Sequence, residues 1–115
     1  MLLYQLIDFL LENIEEYFLI KNKILYSTEI NKLRLIKKLF PKIIFTNGCF
    51  DIFHSAHLKL LNFCKEQNGT LVLGLNSDES IKKIKGETRP INNIKERCEL
   101  LKNLDFIDFI IIIMN

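Results

Sequence analysis

Apolar segments of strand length alternate with segments of helical period along this chain. The pattern predicts an α/β protein: a Rossmann-like three-layer half-fold with a short parallel sheet of about three strands, preceded by an N-terminal helical arm. Three observations carry that reading. Lys42–Thr46, Thr70–Asn76 and Phe106–Met114 are nearly continuous apolar runs, as strands covered on both faces require. Helical rhythm fills the gaps, from Ser55 to Gln67 and again through Ile94, Cys98, Leu101 and Leu104. Strand and helix in alternation make consecutive strands parallel, joined by right-handed crossovers.

The elements follow in order. Leu3, Leu6, Ile7, Leu10, Leu11, Ile14, Tyr17 and Phe18 recur at helical spacing and predict an amphipathic helix within Met1–Ile20, whose stripe the domain or a second chain must cover. Asp8, Glu12, Glu15 and Glu16 interrupt the segment, and neither an early basic cluster nor a small-residue cleavage site accompanies it. A signal peptide and a membrane span are therefore rejected. Lys21-Asn22-Lys23 breaks the rhythm. Ser27 or Thr28 can cap a second helix with Ile30, Leu33, Ile36, Leu39 and Phe40 on its apolar side and Pro41 at its end. Residues 1–40 thus read as a two-helix arm and residues 41–115 as the core. Asn68-Gly69 stops the helix that starts at Ser55. A short helical turn is expected at Ser80–Ile84, and Pro90 keeps the polar loop Lys85–Asn93 out of a helix.

Length and composition narrow the function. A chain of 115 residues with 49% hydrophobic content can bury one core and is not disordered. Sixteen Lys and Arg against 14 Asp and Glu leave a net charge of +2, too little to argue for a nucleic-acid partner. Cys49, Cys64 and Cys98 are odd in number, widely spaced and set in apolar surroundings, which points to free thiols in a reducing cytoplasm.

The chemistry concentrates in Thr46-Asn47-Gly48-Cys49-Phe50-Asp51-Ile52-Phe53-His54-Ser55-Ala56-His57. Here a strand passes through a glycine turn into a helix, and two histidines three residues apart share one helix face. The unpaired N–H groups of a first helical turn attract an anion, and imidazoles add donors that are neutral or charged near pH 7. A phosphate seat is the functional reading. The structural alternative has one histidine capping the helix and the other packing under the sheet.

The segment resembles the signature of the HxGH nucleotidyltransferases, the cytidylyltransferase-like enzymes that join a nucleoside triphosphate to a phosphorylated alcohol or sugar. It is most similar to domains of the heptose 1-phosphate adenylyltransferase and glycerol-3-phosphate cytidylyltransferase type. Phe45–Asp51, Gly74–Ser80, Lys85–Ile91 and Glu96-Arg97 carry the likeness, in the family's order and at similar intervals. Two departures stand out: Ala56 occupies the glycine position of HxGH, and the family's further strands and its serine/threonine-rich phosphate segment do not follow Asn115.

The resemblance implies a reaction in which ATP or CTP and a sugar or polyol phosphate yield an activated nucleotide derivative and pyrophosphate. His54 and His57 would contact the triphosphate, with Lys85 and Arg97 as further catalytic groups. Thr46, Asn47, Gly48, Cys49, Phe50, Asp51, Asp78 and Arg89 would bind the nucleotide. Asp51 would orient the first histidine or cap the helix; Asp78 would meet ligand at the end of the second strand or cap the next helix. Arg97 would offer the triphosphate a bidentate guanidinium. Mg²⁺ would arrive with the nucleotide, since no carboxylate cluster offers a metal site of its own. The family places the first strand centrally, so the strand at Lys42–Thr46 is expected to expose an edge that the arm covers or a second copy docks upon. A homodimer or higher oligomer follows from that edge. The rival reading is a nucleotide-binding or assembly module derived from the family without turnover.

Overall fold

The computed structural model describes residues 3–20 and 23–114, with all of their side chains except those of Leu6, Phe9, Leu10, Glu15 and Tyr17. In chain order the elements are α1 (Leu3–Glu12), α2 (Ile14–Ile20), β1 (Ile24–Tyr26), α3 (Ile30–Leu39), β2 (Ile43–Gly48), α4 (Ser55–Glu66), β3 (Thr70–Asn76), α5 (Asp78–Lys85), α6 (Ile94–Lys102) and β4 (Phe109–Ile113). The strands pair in parallel in the order β1-β4-β3-β2. The predicted α/β class and parallel sheet are thus present, with four strands rather than about three.

The added strand is Ile24-Leu25-Tyr26, with Leu25 opposite Ile111 of β4. Three residues are too few for alternation to repeat, so sequence period could not reveal it. It is fixed from both ends. The Lys23 ammonium donates to the carbonyls of Lys102 at 2.8 Å and Leu104 at 2.9 Å. Ser27, expected as a helix cap, instead extends this pairing: its N–H donates to the Ile112 carbonyl at 2.9 Å, and its hydroxyl accepts from the Met114 N–H at 2.9 Å. The helix after it therefore starts later than expected, with Glu29 at its cap position.

Side chains alternate across a strand, and β3 shows what that does here. Leu71, Leu73 and Leu75 pack with Leu61 and Cys64 of α4, Cys98 and Leu101 of α6, and Ile110 and Ile112 of β4. Val72 faces the other way, into a second cluster with Ile20, Leu25, Ile36, Leu39 and Phe109. Helices thus cover both faces of the sheet, and β1, α3 and the end of α2, all within residues 1–40, are built into the same layers as the core.

The expected N-terminal helix is divided between α1 and α2 at Asn13, whose short polar side chain competes for backbone partners. Leu3, Ile7, Leu11, Ile14 and Phe18 of its apolar stripe are exposed. The stripe's Leu6, Leu10 and Tyr17 side chains lie outside the described residues. β2 stands at the sheet edge, and the arm does not cover it: Ile43 is 37% exposed and Phe45 57%.

These burial differences set an expected contrast in stability. Leu73→Ala, at a fully buried position of a central strand, is expected to cost about 2–5 kcal/mol, whereas Phe45→Ala should cost no more than about 1 kcal/mol. Urea midpoints at unchanged m-value measure both. Equal losses would mean that the exposed face of β2 is covered in solution.

Candidate active site

β2 runs through Gly48, and the turn falls not on that glycine but at Phe50, whose φ of 48° is in the left-handed region that a bulky residue rarely adopts. The Phe50 ring supplies the compensation: it is 3% exposed and packs into the core beneath α4. Gly48 serves that ring. A Cβ at position 48 would stand 2.9 Å from it, so glycine is needed for close approach rather than for turning.

The chain then enters α4 through a reciprocal cap built from the two histidines. His54 is the cap residue, and its Nδ1 accepts from the Ala56 N–H at 3.2 Å. His57 returns the contact, its Nδ1 accepting from the His54 N–H at 3.2 Å. The rings lie 4.1 Å apart between centroids, and His57 also rests between Phe50 at 4.9 Å and Phe53 at 5.6 Å. Since both Nδ1 atoms accept, each neutral ring carries its proton on Nε2, leaving two Nε2–H donors for a ligand. Capping, set against a phosphate seat in the sequence reading, therefore does not exclude one. Burial lowers the His57 pKa from its ordinary value, and the charges of His54 and Lys85 lower it further.

Both rings line a cleft of about 370 Å³ whose wall is completed by Cys49, Phe50, Asp51, Ile52, Lys85 and Arg89. Lys85 arrives on the last turn of α5, one residue beyond the helical turn expected from sequence. Gly86, at a φ of 101°, then releases the chain into the loop that carries Arg89. Two imidazoles, an ammonium and a guanidinium thus converge from three segments. The wall suits a polyanion.

Three expectations about charged residues change. Asp51 neither orients a histidine nor caps α4. It is 6% exposed and accepts from the Ile91 N–H at 2.9 Å and the Asn92 N–H at 2.7 Å, with Arg89 at 3.5 Å. Its burial raises the carboxyl pKa, but the Asn92 and Ile91 amides and the Arg89 charge outweigh that and hold it below the ordinary value. Asp78 does not cap α5 either. Ser77 does, accepting from the Ser80 N–H at 3.1 Å, while Asp78 meets Arg97 at 2.7 Å.

Arg97 does not reach the cleft. It is 1% exposed, and Nε donates to the Asn92 carbonyl at 3.0 Å, Nη1 to those of Cys49 at 2.9 Å and Asn76 at 2.7 Å, and Nη2 to Asp78. In place of a bidentate hold on triphosphate it makes a buried tie among the site's segments. Thr46, Asn47, Gly48, Asp78 and Arg97 thus do not line the cleft, while His54, His57, Lys85, Arg89, Cys49, Phe50 and Asp51 do. Ile52, Phe53 and Asn92 were not singled out from sequence; the only signal for them was their nearness to the histidines and to Pro90. Among the described residues no three His, Cys, Asp or Glu side chains are grouped to hold a metal, and no helix is long and apolar enough to cross a membrane.

Known proteins resemble this chain in sequence and in fold. The bifunctional protein HldE of Aliarcobacter butzleri is 48% identical over 85 residues, which are 73% of this chain and 18% of that protein. The bifunctional protein HldE of Helicobacter hepaticus is 41% identical over 100 residues, 86% of this chain and 20% of that one. The chain therefore spans about a fifth of the length of these curated relatives. Among solved structures, a lipopolysaccharide core biosynthesis protein from Thermoplasma volcanium is similar with a TM-score of 0.55 and 26% identity, over 64% of this chain and 57% of that one. The cytidylyltransferase-like family model matches residues 45–113, from within β2 to the end of β4 and so across the whole cleft. The chain belongs to the cytidylyltransferase-like family.

Proposed function

We propose that the cleft binds a nucleoside triphosphate, ATP or CTP, and that the chain transfers its nucleotidyl group to a phosphorylated sugar or polyol with release of pyrophosphate. The observation that carries the reading is the convergence of His54, His57, Lys85 and Arg89 on one hollow at the opening of α4. An acceptor phosphate oxygen attacks the α-phosphorus, the bond to the β-phosphate's bridging oxygen breaks, and pyrophosphate leaves with that electron pair. No enzyme-bound intermediate is required. The chain's contribution is positioning and electrostatics: the Nε2–H groups and the two cations lie where negative charge builds on the phosphates. Mg²⁺ carried by the triphosphate would supply further charge neutralisation, and no residue of the chain is assigned to hold it. A cytoplasmic protein with no nucleic-acid or membrane partner, assembling through the exposed edge of β2, completes the proposal.

A second reading, nucleotide binding without turnover, is favoured by Ala56, which adds a methyl group at the helix opening where the signature has glycine. Pyrophosphate release from ATP with heptose 1-phosphate or glycerol 3-phosphate separates the two.

Calorimetric titration with ATP and CTP tests the common core. One of them is expected to bind, and His57→Ala should weaken that binding about 10- to 100-fold, the loss of a hydrogen bond to a charged group. Full affinity in the variant would remove the histidines from the site. Stability should also respond to acid with a definite sign. Because the folded chain resists the proton that His57 takes up when unfolded, its contribution is complete above pH 6.5 and is lost as the pH falls from there through the folded pKa. Thermal midpoints are expected to drop across that window in the wild type, and by less in His57→Gln.

A further inference from the structure

The geometry points to Asn92 as the positioning residue that sets Arg89 against the phosphates in the cleft. The inference rests on the nucleotide reading of that cleft and goes beyond it by naming what holds its loop-borne cation in register. Between Lys82 and Asn93 no residue is buried; Ile84 is 67% exposed and Ile91 60%. Apolar packing therefore does not hold this stretch against the sheet. Polar contacts do, and Asn92 makes three of them.

Its N–H donates to Asp51 Oδ1 at 2.7 Å, its side-chain Nδ2 donates to the Asp51 carbonyl at 2.6 Å, and its own carbonyl accepts from Arg97 Nε at 3.0 Å. Asp51 is the residue whose other carboxylate oxygen faces Arg89 at 3.5 Å. Arg97 in turn holds the Cys49 carbonyl on the cleft's own turn. Asn92 thus ties the Arg89 loop to the segment preceding the histidines, 41 residues earlier in sequence, by side chain and main chain together. The Nδ2 contact needs an amide nitrogen three bonds beyond Cα, which asparagine supplies. Alanine there would leave the Asp51 carbonyl without it and loosen the loop, which would keep the main-chain contacts of residues 91 and 92.

The test uses the 115-residue chain with ATP and adenosine as probes. Asn92→Ala is expected to weaken ATP on the order of tenfold, the scale of one lost hydrogen bond, while leaving adenosine unchanged. In an Arg89→Ala background the same change should cost less than about twofold, because the cation it positions is gone. An unchanged ATP affinity, an equal loss for adenosine, or an undiminished loss beside Arg89→Ala would each overturn the proposal. If Asn92→Ala does not fold, Asn92→Ser takes its place with the same readings. Should the wild type bind no triphosphate, the nucleotide reading fails on its own, and amide hydrogen exchange still decides the positioning claim. Faster exchange at Ile91 in Asn92→Ala supports it, and unaltered exchange there refutes it.

Discussion

A single buried guanidinium organises the carboxyl end of this sheet. Arg97 sits 1% exposed and bonds main-chain carbonyls at the ends of two strands and one loop, together with the Asp78 carboxylate. A buried charge is tolerated only when its donors are satisfied, so the arrangement is all or none. With every partner in place, the turn after β2, the end of β3 and the approach to α6 have fixed relative positions. The cleft inherits its shape from that arrangement.

The histidine pair uses the same economy on a smaller scale. A helix start leaves N–H groups without partners, and serine or aspartate commonly satisfies them. Here imidazoles do so through Nδ1, which fixes their tautomers and turns the remaining N–H outward. Helix initiation and the lining of the cleft are therefore one structure. The Phe50 backbone strain and the Gly48 clearance make the tight approach of that helix opening possible.

Much of this was legible in the order of the residues. Long apolar runs announced β2, β3 and β4, and the strand-to-helix passage with its two histidines announced the site, because those signals are local. β1 escaped notice because three residues carry no period, and its strand character comes from pairing with β4 across a sequence separation no window spans. Arg97 was misjudged for a related reason. A guanidinium one position from a buried stripe can point outward or inward, and the direction is decided by carbonyls contributed by Cys49 and Asn76, far away in the chain. Asn92 likewise gains its importance only from Asp51. Motif residues could be found from sequence; the partners that Arg97, Asp78 and Asp51 bond could not.

The reciprocal cap at the start of α4 also constrains how this chain can drift. Each ring accepts one main-chain N–H at the helix opening, so an exchange at either position that lacks a suitably placed acceptor leaves that N–H without its partner. Drift at either position is therefore confined to side chains that reach the backbone with an acceptor, whatever else the cleft asks of them.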